Sequence, residues 1–566
     1  MCRTTNKRSR SRFSLLAATI AFLVTFFACD ALAWVGGVHR QKLVAHGWDL
    51  LRTSPEEILD NADAFDTAGV DGVTVCLSGK SSSGRRYSFA TMASDDPWTL
   101  DDFESEIDTL KGFSGHSGLK ESFLMFWLAP QKRIRWTDDA AWKRFADNLR
   151  VLARIGKASG IKGYFIDCED YPKTRQFFHD AKQDDMDFDS ALMLARKRGR
   201  ELFSGVFAEH PDAAILSFWF FTLNERYAWQ RDPEACIRRE RDLWPAFLNG
   251  MLDVMPSQVK FIDGNEWAYY NCYAEKFDFH TKAFYAWHSA LGLVAPENRN
   301  RYRSQLSVSF GFYIDMFRSD GNKEYWYPPA DDGSRMTRFE RNLEQAARVS
   351  TEYVWIYGEA YCWVPWKKTK SSRLWKDKVF SKVLSRQDGP RTWEEALPGL
   401  RDMLDSVRDP DAFRLRKLAD LRTAGIKDMI ISDNRVPKSF VPWQNPEKAQ
   451  GFFGKDGDSV LARGVGSGCA SVHLPVKAGS SYSVSVKVKG KGSANVHWKV
   501  GGKEEWRLGI SQLVEQDESD AEGWRTLAAT VRPPIGSDGM VFSAWVSQKD
   551  AAEETRFRDF SAVKLR

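Results

Sequence analysis

The sequence predicts an α/β protein: a (β/α)8 TIM barrel followed by a small all-β jelly-roll sandwich. Eight short apolar runs alternate with longer amphipathic stretches over about 320 residues, which is typical of parallel strands joined by crossover helices. Beyond residue 450 the runs are short and β-rich, and Gly, Ser and Pro separate them, as in a sandwich. An open doubly wound sheet is the alternative, but no G-x-G-x-x-G sequence follows the first run.

The eight apolar runs are the predicted barrel strands. They span residues 42–49, 72–77, 122–129, 162–169, 213–221, 259–263, 305–314 and 353–358. Between them, the spacing of apolar residues predicts amphipathic helices at 55–68, 140–158, 189–208, 238–253 and 338–351.

Residues 1–33 have the three parts of a secretory signal peptide. Residues 1–12 are polar and basic, residues 13–28 are apolar, and Ala31-Leu32-Ala33 has small residues at the two positions that a signal peptidase reads. A membrane anchor is the alternative, but the apolar run is shorter than the roughly 20 residues of a membrane span. Lipidation at Cys29 is a second alternative. We expect export to the periplasm, the cell surface or the medium, with no membrane span left after cleavage.

Most of the net charge of +5 lies in this leader. The first 33 residues hold five basic side chains and one acidic side chain, which leaves 76 basic and 75 acidic residues in the other 533. Such a balance gives no support to nucleic acid as a partner.

The sequence after the eighth run divides into three parts. Residues 366–425 are basic and then helical, and are predicted to extend a barrel that covers residues 41–433. Residues 434–449 contain three Pro and are predicted to be a linker. Residues 450–566 are the predicted sandwich.

Carboxylates follow several predicted strands, at the end of a barrel where catalytic residues lie. The four catalytic candidates are Asp167, Glu169, Glu266 and Glu359. Asp167 and Glu169 are two residues apart on a strand, so both are expected on one face. Two carboxyl groups about 5 to 9.5 Å apart can cleave a glycosidic bond. Glu169 is the predicted proton donor and Glu266 or Asp167 the nucleophile or base, while Glu359 could replace either.

Aromatic residues recur beside these carboxylates, and aromatic faces stack on sugar rings. The predicted substrate contacts at the strand ends are His46, Trp48, Asp49, Trp127, Trp219, Asp263, Trp267, Tyr269, Tyr357 and Trp363. No H-x-H follows the first strand and no H-E-x-x-H occurs, so we expect neither a catalytic metal nor another cofactor.

Two segments resemble known families. The stretch 163–171, GYFIDCEDY, is similar to the strand-4 signature G-x-D-x-D-x-E-[WY] of chitinase-type glycoside hydrolases, but Phe165 stands in place of the first Asp and Asp170 follows Glu169. Residues 450–566 resemble a carbohydrate-binding module of the jelly-roll, galactose-binding-like kind, through 479–490, Trp498, Trp506, 523–524 and 557–563. The second resemblance implies a possible structural calcium ion, whose ligands the sequence does not identify.

These features together predict an exported glycoside hydrolase acting on a poly- or oligosaccharide. The alternatives are a non-catalytic carbohydrate-binding surface protein that kept the barrel, and a polysaccharide lyase or deacetylase. The pattern defines neither the sugar, the linkage nor the oligomeric state.

Overall fold

A parallel β-sheet of nine strand segments closes on itself between residues 42 and 358. Its strands are β1 Lys42–Gly47, β2 Gly72–Val75, β3 Phe123–Trp127, β4 Gly163–Asp167, β5 Ala214–Ser217, β6 Lys260–Asp263, β7 Leu306–Val308, β8 Gly311–Tyr313 and β9 Tyr353–Gly358. They form the order β7-β6-β5-β4-β3-β2-β1-β9-β8. Only two residues separate β7, which pairs with β6, from β8, which pairs with β9. Together β7 and β8 act as the seventh strand of an eight-stranded barrel, which confirms the predicted fold class.

The computed structural model describes residues 41–566 except 82–83, 171–173, 229, 271–275, 319–333, 370–371, 426–427, 449, 517–518 and 535. The predicted signal peptide and Tyr171 therefore lie outside the described residues. Within the described ranges, no helix is both long and apolar enough to cross a membrane.

Helices connect the strands. They span Pro55–Asp60, Ala62–Phe65, Glu104–Lys111, Asp139–Ser159, Ala181–Asp184, Phe188–Glu209, Glu225–Ala228, Pro233–Glu240, Trp244–Val254, Lys276–Trp287, Arg299–Gln305 and Arg335–Val349. After β9 follow Phe380–Leu384, Trp393–Ala396, Leu400–Arg408 and Pro410–Ala424.

The stretch predicted as one helix at 238–253 contains parts of two helices. Arg241 adopts a left-handed conformation with φ of 56° and ends the helix Pro233–Glu240. Pro245 lies in the first turn of the next helix, Trp244–Val254, where its missing N–H costs nothing. The break is a local effect of one backbone conformation that hydrophobic spacing does not record.

Two glycines allow the helices Phe188–Glu209 and Trp244–Val254 to pack closely. A Cβ at Gly250 would lie 1.9 Å from the carbonyl oxygen of Arg196, and one at Gly199 would lie 2.1 Å from that of Phe247. Because both obstacles are backbone atoms, any larger residue forces the helices apart.

We expect Gly250→Ala to lower the free energy of unfolding by about 3 kcal/mol, because the added methyl group overpacks a backbone contact. Urea unfolding followed by circular dichroism measures the change. The matched control is Gly205→Ala on the same helix as Gly199. Its Cβ would lie 3.3 Å from the Arg150 side chain, and the better helix propensity of Ala offsets up to about 1 kcal/mol. Equal stability of the two variants would contradict this description of the packing.

Two antiparallel sheets form the C-terminal sandwich. One contains Val441–Gln444, Gly468–Pro475, Gly539–Val546, Ser493–Val500, Lys503–Glu504 and Ser511–Gln512, and the other contains Phe452–Asp456, Ser459–Arg463, Glu554–Lys564, Tyr482–Lys489, Arg525–Val531 and Val514–Glu515. The alternation of Tyr482, Val484, Val486 and Val488 buries one face of its strand. Val441–Gln444, within the segment predicted as a linker, pairs with Gly468–Pro475 at the sheet edge.

The barrel and the sandwich have separate hydrophobic cores. One cluster of buried residues runs from Leu43 to Val407 and the other from Ile430 to Ala562. Arg532 of the sandwich lies between them and reaches Glu340 at 3.5 Å and Glu344 at 3.3 Å, both on the helix Arg335–Val349. Its guanidinium also donates to the carbonyl of Ser406 at 2.8 Å.

The cysteines in the described ranges are buried free thiols. They are Cys76, Cys168, Cys236, Cys362 and Cys469. Cys272 lies outside the described residues.

Candidate active site

Three carboxyl groups lie together at the carboxyl end of the barrel. Asp167 is the last residue of β4 and Glu169 follows it by two residues, while Glu266 begins the short 3-10 helix Glu266–Tyr270 after β6. The charges of Asp167 and Glu169 both act on Glu266, and that of Glu169 also acts on Asp167. The structure thus brings together three of the four predicted catalytic residues.

Burial changes the protonation of this cluster. Desolvation, then the negative charge of Glu169, raises the pKa of Asp167 well above its ordinary value. Desolvation and the charges of Glu169 and Asp167 likewise raise the pKa of Glu266. A carboxyl group in such a site keeps its proton at pH values where an exposed one has lost it.

The loop after β4 holds Glu169 in place. The Asp167 carboxylate accepts a hydrogen bond from the Glu169 backbone N–H at 2.9 Å, and the indole of Trp127 donates to the Glu169 carbonyl at 3.0 Å. Asp170 accepts from the backbone N–H groups of Gln176 and Phe177 at 2.8 and 2.7 Å. The residue that departs from the chitinase-type signature therefore anchors this loop.

Several buried polar atoms around Glu266 have no hydrogen-bond partner among the described residues. They are Oε2 of Glu266, the hydroxyl of Tyr269, Nε1 of Trp219 and both polar side-chain atoms of Asn265. Asn265 is also in the left-handed region, with φ of 42°. The Tyr269 hydroxyl lies near enough to Glu266 to lower the pKa of Glu266 as a hydrogen-bond donor does, although the geometry of the contact falls outside that of an ordinary hydrogen bond. Unpaired buried polar groups are costly unless a ligand satisfies them.

Exposed aromatic rings flank the carboxyl cluster. The rings of Trp219 and Trp267 lie 5.3 Å apart, and Tyr270 lies 6.4 Å from Trp267. Trp267 and Tyr270 are exposed, as is Trp48, whose indole donates to the hydroxyl of Tyr357. Exposed large aromatics beside a polar site are suited to stacking on a sugar ring.

His46 lies below this site inside the barrel. Its ring stacks between Phe165 and Tyr357, each with a centroid distance of 5.1 Å, and Nδ1 lies 2.8 Å from the Thr74 hydroxyl. Burial lowers the pKa of His46 to about 3. Phe165, which replaces the first Asp of the chitinase-type signature, thus belongs to an aromatic layer with Phe218 and Trp355.

Because His46 is neutral when folded and has a pKa near 6.5 when unfolded, its contribution to stability is present above pH 6.5 and lost as the pH falls below that value. We expect the free energy of unfolding of the wild type to fall by about 1.4 kcal/mol per pH unit between pH 6.5 and 4.5 because of His46. In His46→Gln this part of the pH dependence is expected to be absent. Urea unfolding of both proteins at several pH values measures this difference. The control is the exposed His288→Gln, and the same pH dependence in all three proteins would contradict it.

Three predicted substrate contacts are instead buried in hydrogen bonds within the protein. Asp49 accepts from the backbone N–H of Trp363 at 2.8 Å and from the indole of Trp366 at 3.0 Å, and burial raises its pKa to about 6. Asp263 accepts from the backbone N–H of Thr222 at 3.1 Å, and the indole of Trp363 donates to the His46 carbonyl at 3.0 Å. These groups hold the loops at the rim rather than face the cleft.

Glu359 lies apart from the other three carboxylates. It is exposed and accepts from the Tyr357 hydroxyl at 2.8 Å, and its backbone N–H donates to Asp315 at 2.8 Å. The charge interactions of Asp167 and Glu266 do not include it. Sequence reasoning also missed Asn265, since only its position just before Glu266, after a strand, could have indicated it.

Comparison with known proteins gives weak likenesses. No protein-family model matches the chain, and no curated protein matches it. A family 39 glycoside hydrolase from Bacteroides cellulosilyticus WH2 aligns over 90% of this chain and 82% of its own, with 8% identity and a TM-score of 0.34. A GH18 chitinase from Pseudoalteromonas aurantia aligns over 56% of this chain and 94% of its own, with 13% identity and a TM-score of 0.27.

The C-terminal sandwich also resembles solved structures only weakly. The C-terminal family 22 carbohydrate binding module of a Clostridium thermocellum protein aligns over 25% of this chain and 97% of its own, with 13% identity and a TM-score of 0.18. The similar solved structures thus include glycoside hydrolases and a carbohydrate-binding module, at levels too low to define an activity.

Proposed function

We propose that this protein is an exported glycoside hydrolase whose barrel cleaves a glycosidic bond of a poly- or oligosaccharide. The observation that carries the proposal is the cluster of Asp167, Glu169 and Glu266 at the mouth of the barrel, in which burial and the charge of Glu169 raise the pKa values of Asp167 and Glu266. Hydrolysis by two carboxyl groups needs one that holds a proton and one that has lost it. A buried cluster of this kind supports both states at one pH.

Glu266 is the proposed proton donor and Glu169 the proposed ionised partner. The raised pKa of Glu266 and its unpaired buried Oε2 suit it to protonate the leaving oxygen as the bond to the anomeric carbon breaks. The charge of Glu169, which raises the pKa of both neighbours, suits the attack on that carbon or the activation of water. These roles are the reverse of those predicted from sequence. Asp167, whose pKa is also raised, holds the Glu169 backbone N–H.

The exposed rings beside the cluster are the proposed sugar contacts. Trp267 and Tyr270 supply stacking surfaces, and the unpaired Trp219 Nε1 and Tyr269 hydroxyl supply polar contacts to sugar hydroxyls. On binding a sugar, Trp219 Nε1 and the Tyr269 hydroxyl would each gain a hydrogen bond that they lack within the described protein.

The C-terminal sandwich is proposed to bind carbohydrate. Trp443 and Trp545 lie 5.7 Å apart on the outer face of one sheet, next to a surface cavity of about 430 Å³ that Asn495 and Trp545 line. The indole of Trp506 stacks on His497 at 3.9 Å and is half exposed.

A polysaccharide digestion panel tests the proposal. The secreted chain is incubated with neutral and acidic polysaccharides, and new reducing ends are measured beside Glu266→Gln. We expect new reducing ends from at least one polysaccharide with the wild type alone. Equal yields from both proteins, or none from any polysaccharide, would contradict it. The mass of the secreted protein tests export, because cleavage after Ala33 removes 33 residues.

A further inference from the structure

A strongly basic segment follows β9 and has no role in the proposed chemistry. Residues 366–391 contain nine Lys and Arg residues and two Asp residues. Outside this segment, the chain after residue 33 has 67 basic and 73 acidic residues. The positive charge is therefore concentrated in one short stretch of an otherwise slightly acidic protein.

This segment runs along the same end of the barrel as the carboxyl cluster. The Trp366 indole donates to Asp49, just after β1, at 3.0 Å. The Arg373 backbone N–H donates to Glu57 at 2.7 Å, and the Arg373 charge acts on Cys76, which directly follows β2. Trp366 thus lies at the end of β1, and Arg373 lies near the end of β2.

The second half of the segment forms a groove at the rim. A surface cavity of about 610 Å³ is lined by Trp375, Leu384, Arg386, Pro390 and Arg391, among others. Arg386 lies 5.8 Å from the ring centroid of Tyr361, three residues beyond β9.

Arg318 connects this groove with the rim of the barrel at Asp315 and Glu359. It lies 4.9 Å from the Tyr361 centroid, on the ring that Arg386 also contacts. It also pairs with Asp315 at 3.1 Å, and Asp315 in turn accepts from the Glu359 backbone. The groove therefore adjoins the rim after β9.

Several of these positive charges are available to a ligand. Lys378 and Lys382 are exposed, and neither they nor Arg386 takes part in an ion pair with a described residue. Arg386 donates to the Pro390 carbonyl at 3.2 Å and lies over the Tyr361 ring. By contrast, Asp377 is paired with Arg52 at 2.7 Å, and Glu395, which also lines the groove, is paired with Arg391 at 3.5 Å. Asp388 is exposed and takes part in no ion pair with a described residue. A concentration of one sign of charge beside a cleft raises the local concentration of oppositely charged substrates.

We propose that this basic groove binds the acidic groups of an anionic polysaccharide, so that the substrate of the barrel is a uronate-containing or sulfated glycan. Trp375 and Arg386 line the groove, so the partly exposed ring of Trp375 is the surface on which a sugar stacks and Arg386 binds its carboxylate or sulfate groups. Lys378 and Lys382 are exposed in the same segment and add positive charge for the same acidic groups. Arginine binds both kinds of group well. This inference rests on the proposed function because it concerns the substrate of the same barrel.

Binding on the full-length mature chain, measured by calorimetry, tests the inference independently of hydrolysis. All proteins carry Glu266→Gln to prevent turnover. The probes are an oligogalacturonate, a chondroitin sulfate oligosaccharide, a cello-oligosaccharide and a DNA oligonucleotide. We expect one acidic oligosaccharide to bind at least tenfold more tightly than the cello-oligosaccharide, and the better of the two identifies carboxylate or sulfate.

The test variant carries Lys378→Gln, Lys382→Gln and Arg386→Gln together. We expect it to bind the acidic probe about tenfold more weakly than the Glu266→Gln protein alone, because three partly screened charge contacts are lost. Arg386→Lys alone is expected to keep most of the affinity. The matched control replaces Lys143, Lys157 and Lys197, on outer helices, by Gln. Equal affinity of variant and control, binding of neither acidic oligosaccharide, or tighter binding of DNA would overturn the inference.

The two proposals fail in different ways. If acidic glycans bind through the groove but wild type cleaves no polysaccharide, the hydrolase assignment fails and the groove remains. If wild type cleaves a neutral polysaccharide and the variant binds as the control does, the groove fails and the hydrolase remains.

Discussion

Glu266→Gln is expected to lower kcat/KM on a natural polysaccharide by about 10²- to 10⁴-fold, the usual contribution of a positioned general acid. Gln has nearly the shape of Glu but cannot donate the proton that the leaving oxygen needs. Glu169→Gln is expected to lose at least as much, because it removes the ionised partner. Steady-state kinetics on the polysaccharide that the digestion panel identifies measures both. The matched control is Glu234→Gln on an exposed helix, which is expected to keep wild-type kinetics.

The nature of the leaving group separates the two roles. An aryl glycoside with an acidic phenol needs little protonation, so Glu266→Gln is expected to retain most of its activity on that substrate while Glu169→Gln does not. The opposite ranking would restore the roles predicted from sequence. Full activity of both variants on both substrates would remove the cluster from the reaction.

Arg532→Met is expected to lower the free energy of unfolding by about 3 kcal/mol. Arg532 is mostly buried between Glu340 and Glu344, and its removal takes one of two cationic partners from each carboxylate in a poorly solvated place, leaving Arg566 beside Glu340 and Arg348 beside Glu344. Burial alone would raise the pKa of Glu344, but the charges of Arg348 and Arg532 lower it to about 2. The stability from this pairing is therefore present above about pH 4.5 and lost as the pH falls towards 2.

Urea unfolding at pH 7 and pH 3 measures this effect. The control is Arg507→Met, an exposed arginine of the same sandwich. We expect the variant to differ most from wild type at pH 7 and less at pH 3. A loss below 1 kcal/mol at pH 7 would mean that the ion pairs add little where barrel and sandwich meet.

The fold class was predictable because it depends on hydrophobic periodicity. Short apolar runs coincide with strands such as β4 and β9 because parallel barrel strands are buried on both faces. The alternation in Tyr482–Lys489 similarly reports a strand with one buried face. The limits of helices were less predictable, since they depend on single backbone conformations such as that of Arg241.

The candidate site was predictable only in part. The position of a carboxylate after a strand correctly indicates that it lies at the rim, but not whether it faces the cleft. Asp49 and Asp263 are occupied by backbone and side-chain donors from distant segments, which no local pattern reveals. The unpaired side chain of Asn265 and the contacts of Glu359 with Tyr357 and Asp315, away from the other three carboxylates, likewise arise from tertiary structure.

Hydrolysis in water enriched in ¹⁸O, followed by mass spectrometry of the products, tests the central claim most directly. If the carboxyl cluster hydrolyses a glycosidic bond, each new reducing end carries one ¹⁸O atom from solvent, and the Glu266→Gln protein forms such ends at least about 10²-fold more slowly. Products that carry an unsaturated sugar and no ¹⁸O would show elimination by a lyase and contradict the account. Labelled products formed by the Glu169→Gln and Glu266→Gln proteins as fast as by the wild type would also contradict it.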